Sequence, residues 1–205
     1  MLKKCFFIVV VAITLGWSLF LHGAEVTVDQ NSATPGGIIS VKGEHAQLYE
    51  GSIKMGDNFL DLVKGTDIDF PFHNRVTIVS IVPSIDTSVC ELQTHRLGTS
   101  KKVFPDIDIV TISRDLPMAQ NRFAKEAKLK KIQFVSDYKT GSFGKKFGLM
   151  IKGKELLTRA VFVINGEGIV RYIQVVPELS HLPDISKAIE EANSLVSKKN
   201  LSKSN

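Results

Sequence analysis

The hydrophobic pattern changes character along the chain. Residues 5–21 are uncharged and mostly apolar, and they follow the positive pair Lys3 and Lys4. A basic end, an apolar stretch and the small residues Gly23 and Ala24 before Glu25 predict a secretory signal over residues 1–24. The run approaches the roughly 20 residues that span a bilayer, so a membrane anchor over residues 5–24 is the other reading. Under both, the positive end stays cytoplasmic and the remainder is exported, to the periplasm or another extracytoplasmic space. Residues 25–60 alternate in short pieces, such as 38–42, between turn signals at Pro35-Gly36-Gly37, Glu50-Gly51 and Met55-Gly56-Asp57. That pattern predicts one or two small hairpins.

From Arg75 the apolar runs lengthen. Residues 76–82 (VTIVSIV) and 108–113 (DIVTIS) are rich in β-branched residues, as strands buried on both faces should be. Helical patterns follow over residues 90–102 and 117–128, the second with Pro117 in its first turn. Residues 132–135 predict a short strand, and 140–147 a short helix that Gly148 can end. Residues 160–164 and 169–176 flank Asn165-Gly166-Glu167-Gly168, which predicts a hairpin. Ile185, Ala188, Ile189, Ala192 and Val196 recur at helical spacing over residues 183–198. The order predicts one α/β layered domain over residues 25–197, ending in an antiparallel ribbon and a helix. The Lys-rich residues 198–205 predict a disordered basic tail.

Composition adds little to this. At 43% hydrophobic and 23% charged residues, the chain of 205 is globular and long enough for one sizeable core. The net charge of +5 sits largely at the two ends, and no basic stripe with interleaved aromatics appears, so nucleic acid is not an expected partner. A membrane is expected only through the N-terminal segment. His22, His45, His73, His95 and His181 are scattered without ligand spacing, and no glycine-rich phosphate loop is present, so neither a metal nor an organic cofactor is expected.

Candidate chemistry concentrates on one residue. Of the two cysteines, Cys5 lies in the leader and Cys90 stands alone in the domain. Cys90 is therefore either a buried inert hydrophobe or a reactive nucleophile, with no partner for a disulfide. It sits where a strand gives way through a loop to a helix. A cysteine in the first helical turn meets unsatisfied N–H groups and the positive end of the macrodipole, both of which favour the thiolate. Thr87 can place a hydroxyl beside the sulfur, and Pro83 fixes the direction of the loop. Arg159, at the start of an apolar strand, is the natural cation for the thiolate. His95, five residues along the same helix, would point away from the sulfur, which speaks against a Cys–His protease dyad.

The segment Pro83-Ser84-Ile85-Asp86-Thr87-Ser88-Val89-Cys90 resembles the peroxidatic loop of the peroxiredoxins, in the form used by the thiol peroxidase subfamily. Ser113-Arg114-Asp115-Leu116-Pro117 with Ala119-Gln120-Asn121-Arg122-Phe123, then Ser136-Asp137-Tyr138, the stretch around Thr158-Arg159, and Val176-Pro177-Glu178 are similar to further subfamily motifs in the same order. The resemblance implies a thioredoxin-like fold of peroxiredoxin type with an N-terminal β-hairpin. It implies that Cys90 attacks a hydroperoxide, giving water or an alcohol and a sulfenic acid, with Thr87, Arg159 and backbone N–H groups binding the peroxide oxygens. Gln120 and Arg122 match subfamily positions, although a surface ion pair accounts equally for Arg122. The subfamily also tends to dimerise near its active site, while nothing in this sequence requires a homodimer.

One departure matters. The subfamily's resolving cysteine follows the Arg-Phe pair, where this chain has Ala124. Cys90 should therefore be recycled by an external thiol or a thioredoxin-like reductant. The alternative reading is an exported redox sensor or thiol relay that passes oxidation from Cys90 to a partner protein.

Overall fold

The computed structural model describes residues 26–100 and 102–203. The expected signal or anchor over residues 1–24, with Cys5, lies outside the described residues.

The chain enters the fold through the predicted hairpin, β1 (Ile38–Val41) paired antiparallel with β2 (Glu44–Gln47). Lys42 (φ 54°) and Gly43 (φ 84°) make the two-residue turn, both in the left-handed region that such tight hairpins need. Helix α1 (Phe59–Val63) has no counterpart in the sequence expectations. It is too short for periodicity to reveal and is held by Asn58, whose Oδ1 accepts from the N–H of Leu60 at 3.0 Å and of Asp61 at 3.2 Å.

β3 (Thr77–Ile81), α2 (Ser88–Gly98), β4 (Asp108–Ser113), α3 (Pro117–Glu126), β5 (Ile132–Ser136) and α4 (Ser142–Lys146) follow the predicted alternation. β6 (Ala160–Ile164) and β7 (Val170–Val175) form the ribbon, and α5 (Ile185–Lys203) closes the chain. The helix thus continues into the segment expected to be a disordered tail. No Gly or Pro interrupts residues 197–203, and Lys, Ser, Leu and Asn all sustain a helix already begun.

The main sheet runs β5-β4-β3-β6-β7, parallel from β5 to β3 and antiparallel through β6 and β7. This is the thioredoxin-like arrangement, with the hairpin packed at one edge. Both faces are covered, so β3 and β6 read as unbroken apolar runs. Val79, Ile81, Phe162 and Ile164 face a core built with Phe59, Phe143 and Phe147, while Ile78, Val161 and Val163 face α5 with Ala188 and Ala192. The hairpin side is pinned by a close backbone crossing: a Cβ on Gly51 would stand 2.4 Å from the carbonyl oxygen of Lys145 and 2.5 Å from the nitrogen of Gly148.

Register then decides what meets at the sheet's end. Ile81 pairs with both Ile112 and Ala160, and Ala160 pairs with Val175. The segments leaving β3, β4 and β7, and the residue entering β6, are brought to one edge. They carry Pro83, Asp115, Glu178 and Arg159 respectively.

Candidate active site

Cys90 occupies the first turn of α2 and is completely buried, beside Val82 and Ile85, with Phe123 and Phe134 packed against them. Among the described residues it is the free cysteine. Thr87 is the N-cap of α2 yet makes no side-chain cap bond. Its hydroxyl is turned to the sulfur, with Oγ1 donating to Cys90 Sγ at 2.9 Å and a longer alternative at 3.3 Å to the carbonyl of Ser84. One hydroxyl hydrogen serves one acceptor at a time, and the shorter contact is the sulfur. The first backbone bond of the helix runs from Glu91 N–H to Thr87 O, so the N–H groups before it are left for a ligand.

Arg159 reaches the same sulfur from the far strand. Its place before β6 has the parity of Val161 and Val163, so the side chain projects to the α2 face of the sheet. All three guanidinium nitrogens are engaged. Nη2 donates to Cys90 Sγ at 3.4 Å, Nη1 to Gln93 Oε1 at 2.9 Å and Nε to the carbonyl of Leu179 at 3.1 Å. Arg159 is 2% exposed, so this charge acts on the sulfur through little water. Gln93 is itself fixed by donating to Ser80 Oγ at 2.8 Å.

Of the residues expected together from the sequence, Thr87 and Arg159 bond the Cys90 sulfur, and Pro83 stands with them at one cavity. Its volume is about 230 Å³, and its other walls include Val41, Val89, Leu156 and Leu179. The two residues bonded to the sulfur thus line this cavity, while Cys90 itself lies buried behind them. A larger groove of about 650 Å³ between α2 and α3 shares Thr87 but not Arg159. The smaller cavity is therefore the one with the chemistry.

Other expected residues lie elsewhere. Gln120 is buried and spends its amide on Ser113 Oγ and the carbonyl of Val135, tying α3 to the sheet. Arg122 is exposed on α3, with no hydrogen bond or ion pair among the described residues. His95 pairs with Glu91 at 3.6 Å, away from the sulfur as expected.

Two contributors went unnoticed in the sequence. Gln93 carried a signal, being a polar residue one helical turn beyond Cys90 and so on the same buried face. Asp115 carried less: its carboxylate accepts from Ser84 Oγ at 2.7 Å and Ile85 N–H at 2.8 Å, and so holds the Cys90 loop.

A buried thiol at the start of a helix in a thioredoxin-like sheet, bonded to a threonine and an arginine, defines a redoxin-type oxidoreductase. The redoxin family pattern matches residues 63–189. The thiol peroxidase of Bacillus subtilis (strain 168) is 37% identical over 163 residues, covering 77% of this chain and 98% of that one. That of Halalkalibacterium halodurans is 39% identical over 161 residues, covering 75% and 96%. A peroxiredoxin-like protein from Aquifex aeolicus superposes with a TM-score of 0.68 at 29% identity, over 80% of this chain and 99% of that one. The thiol peroxidase from Chromobacterium violaceum shares the fold, with a TM-score of 0.61 at 14% identity over 80% and 98%. The chain belongs to the redoxin family, and within it to the thiol peroxidase type of peroxiredoxin. It is a thiol-dependent peroxidase, with Ala124 where the subfamily's resolving cysteine was expected.

Proposed function

We propose that Cys90 reduces hydrogen peroxide and organic hydroperoxides by a one-cysteine cycle. The observation that carries this is the sulfur itself, held between Thr87 Oγ1 at 2.9 Å and Arg159 Nη2 at 3.4 Å. The Cys90 thiolate attacks the terminal peroxide oxygen. The S–O bond forms as the O–O bond breaks, sulfur is oxidised to the sulfenic acid, and the leaving oxygen takes a proton and departs as water or an alcohol. Thr87, Arg159 and the free N–H groups of the first turn stabilise charge on the separating oxygens. The apolar walls at Val41, Val89, Leu156 and Leu179 suit an organic substituent. An external thiol then condenses with the sulfenic acid, releasing water and leaving a mixed disulfide. A second thiol breaks that disulfide and restores Cys90. Ala124 supports this route, as does Cys90 being the free cysteine of the described residues. The relatives, named as peroxidases, favour turnover over the relay reading.

The test is stopped-flow peroxide consumption by the full-length protein and Cys90→Ser, with dithiothreitol, glutathione and a thioredoxin-like protein as reductants. Intact mass is read after one equivalent of peroxide. Expected are loss of activity in Cys90→Ser and a gain of one oxygen in the wild type. Loss of two hydrogens, the mark of an internal disulfide, would rule out the one-cysteine cycle.

A further inference from the structure

The hairpin turn and the segment after β7 meet at one carboxylate. Glu178 accepts from Ser40 Oγ at 2.6 Å, from the N–H groups of Lys42 at 3.0 Å and Gly43 at 3.1 Å, and from Ser180 through N–H at 3.1 Å and Oγ at 2.8 Å. A carboxylate offers about four lone-pair sites, so these donors saturate it. Partial burial works to raise its pKa, but the hydrogen bonds from Ser40, Ser180 and Gly43 prevail and hold it down at about 2. A saturated anion of this kind is a poor proton acceptor for a substrate, and its work is to hold backbone.

What it holds borders the active site on two sides. Val41 at the end of β1 and Lys42 of the turn, with Glu178 itself, Leu179 and Ser180, are walls of the cavity beside Thr87 and Arg159. Leu179 also gives its carbonyl to Arg159 Nε at 3.1 Å. Backbone bonds on either side, Ser40 N–H to Pro177 O at 2.7 Å and Leu179 N–H to Ser40 O at 2.9 Å, align the strands but do not reach the turn itself. The turn residues Lys42 and Gly43 are exposed and closed by the Val41–Glu44 pairing, and the bonds from their N–H groups to Glu178 tie them to the segment after β7.

We propose that Glu178 is a positioning residue that fixes the β1–β2 turn as a wall of the peroxide cavity and, through Leu179, sets the direction of the Arg159 guanidinium. This rests on the reading that Cys90 is the peroxide-reducing thiol. Glu178 itself borders the cavity, but its carboxylate oxygens are taken up by the five donors from Ser40, Lys42, Gly43 and Ser180 rather than turned to the sulfur, so its effect should depend on the size of the substrate. An organic hydroperoxide leans on the wall, whereas hydrogen peroxide reaches Arg159 without it.

The experiment compares full-length wild type, Glu178→Gln and Ser40→Ala with cumene hydroperoxide and with hydrogen peroxide, under excess dithiothreitol. Glu178→Gln should lower kcat/KM for cumene hydroperoxide about tenfold, mainly through KM, and for hydrogen peroxide only about threefold. Ser40→Ala keeps the carboxylate and the backbone pairing and removes one bond to Glu178, so it tests the proposal even should Glu178→Gln fail to fold. It should shift the ratio between the two peroxides in the same direction by about threefold. Equal losses with both peroxides, or an unchanged ratio in Ser40→Ala, would overturn the proposal and leave Glu178 a purely structural tie. Failure of the underlying reading shows separately, as a wild type no faster than Cys90→Ser, and it removes the inference with it.

Discussion

At the scale of single residues, the site divides one sulfur between a hydroxyl and a guanidinium, and the two are not equivalent. Thr87 supplies a single short donor from an exposed loop, with the sulfur at 2.9 Å and no competing cap bond. Thr87→Val keeps the shape and removes the donor, so kcat/KM should fall about 100-fold, the usual effect of losing one preorganised donor to a developing charge. Thr87→Ser keeps the hydroxyl and should stay within about threefold of wild type. A Thr87→Val protein with wild-type peroxide kinetics would show that the hydroxyl does not act on the reacting atoms. Arg159 differs because its three nitrogens are bound to three different partners on α2 and after β7. A lysine has one ammonium group and cannot reproduce that fork. Legibility at this scale was uneven. Cys90, Pro83 and Thr87 share one contiguous motif, and Arg159 stood out as a cation at the start of an apolar strand, which the resemblance then reinforced. Gln93 was overlooked because an isolated glutamine in a helix is ordinary until its neighbours Ser80 and Arg159 are known.

At the scale of elements, the strands were the most legible part. Residues 108–113 and 160–164 match β4 and β6 because β-branched runs buried on two faces have few other uses. Helix ends were less so: α2 starts at Ser88, two residues before Cys90, and its cap is Thr87, a residue type suited to capping whose hydroxyl turns to the sulfur instead. The loop between β3 and α2 gains its shape from another element altogether. Asp115, in the connection from β4 to α3, receives both Ser84 Oγ and Ile85 N–H. Asp115→Asn retains one acceptor oxygen and turns an N–H₂ group toward the second donor. It should destabilise the fold by about 1–3 kcal/mol and speed hydrogen exchange at Ile85 and its neighbours. Peroxide turnover should fall with it, because Thr87 rides on the same loop. Unchanged exchange across this loop would mean that the helix alone fixes Cys90.

At the scale of the whole molecule, the site exists only where four chain segments converge, and no pattern along the sequence encodes that meeting. It follows from register, with Ile81 opposite Ala160 and Ala160 opposite Val175. Glu178 then binds the N-terminal hairpin to this convergence, which makes the stability of the assembled protein depend on pH in a definite direction. Its carboxyl is depressed from 4.5 to about 2, the hydrogen bonds from Ser40, Ser180 and Gly43 outweighing partial burial. A depressed acid binds its proton more weakly in the folded state. Its contribution is therefore fully present above about pH 4.5 and is lost as pH falls through about 2. Asp67, lowered mainly by the Ser142 hydroxyl, acts with the same sign. Asp137 acts with the opposite sign: burial raises it above 3.8 against the hydrogen bonds from Gly144 and Phe143, so its contribution declines as pH rises from there through its folded value. Urea midpoints measured in steps between those limits should rise for the wild type from about pH 2 to about pH 4.5. Glu178→Gln should follow a flatter line that the wild type approaches toward the acid end, as Glu178 becomes protonated. Parallel lines for the two proteins would show that the carboxylate contributes no charge-dependent stability, and that the backbone bonds of Ser40 hold the hairpin unaided.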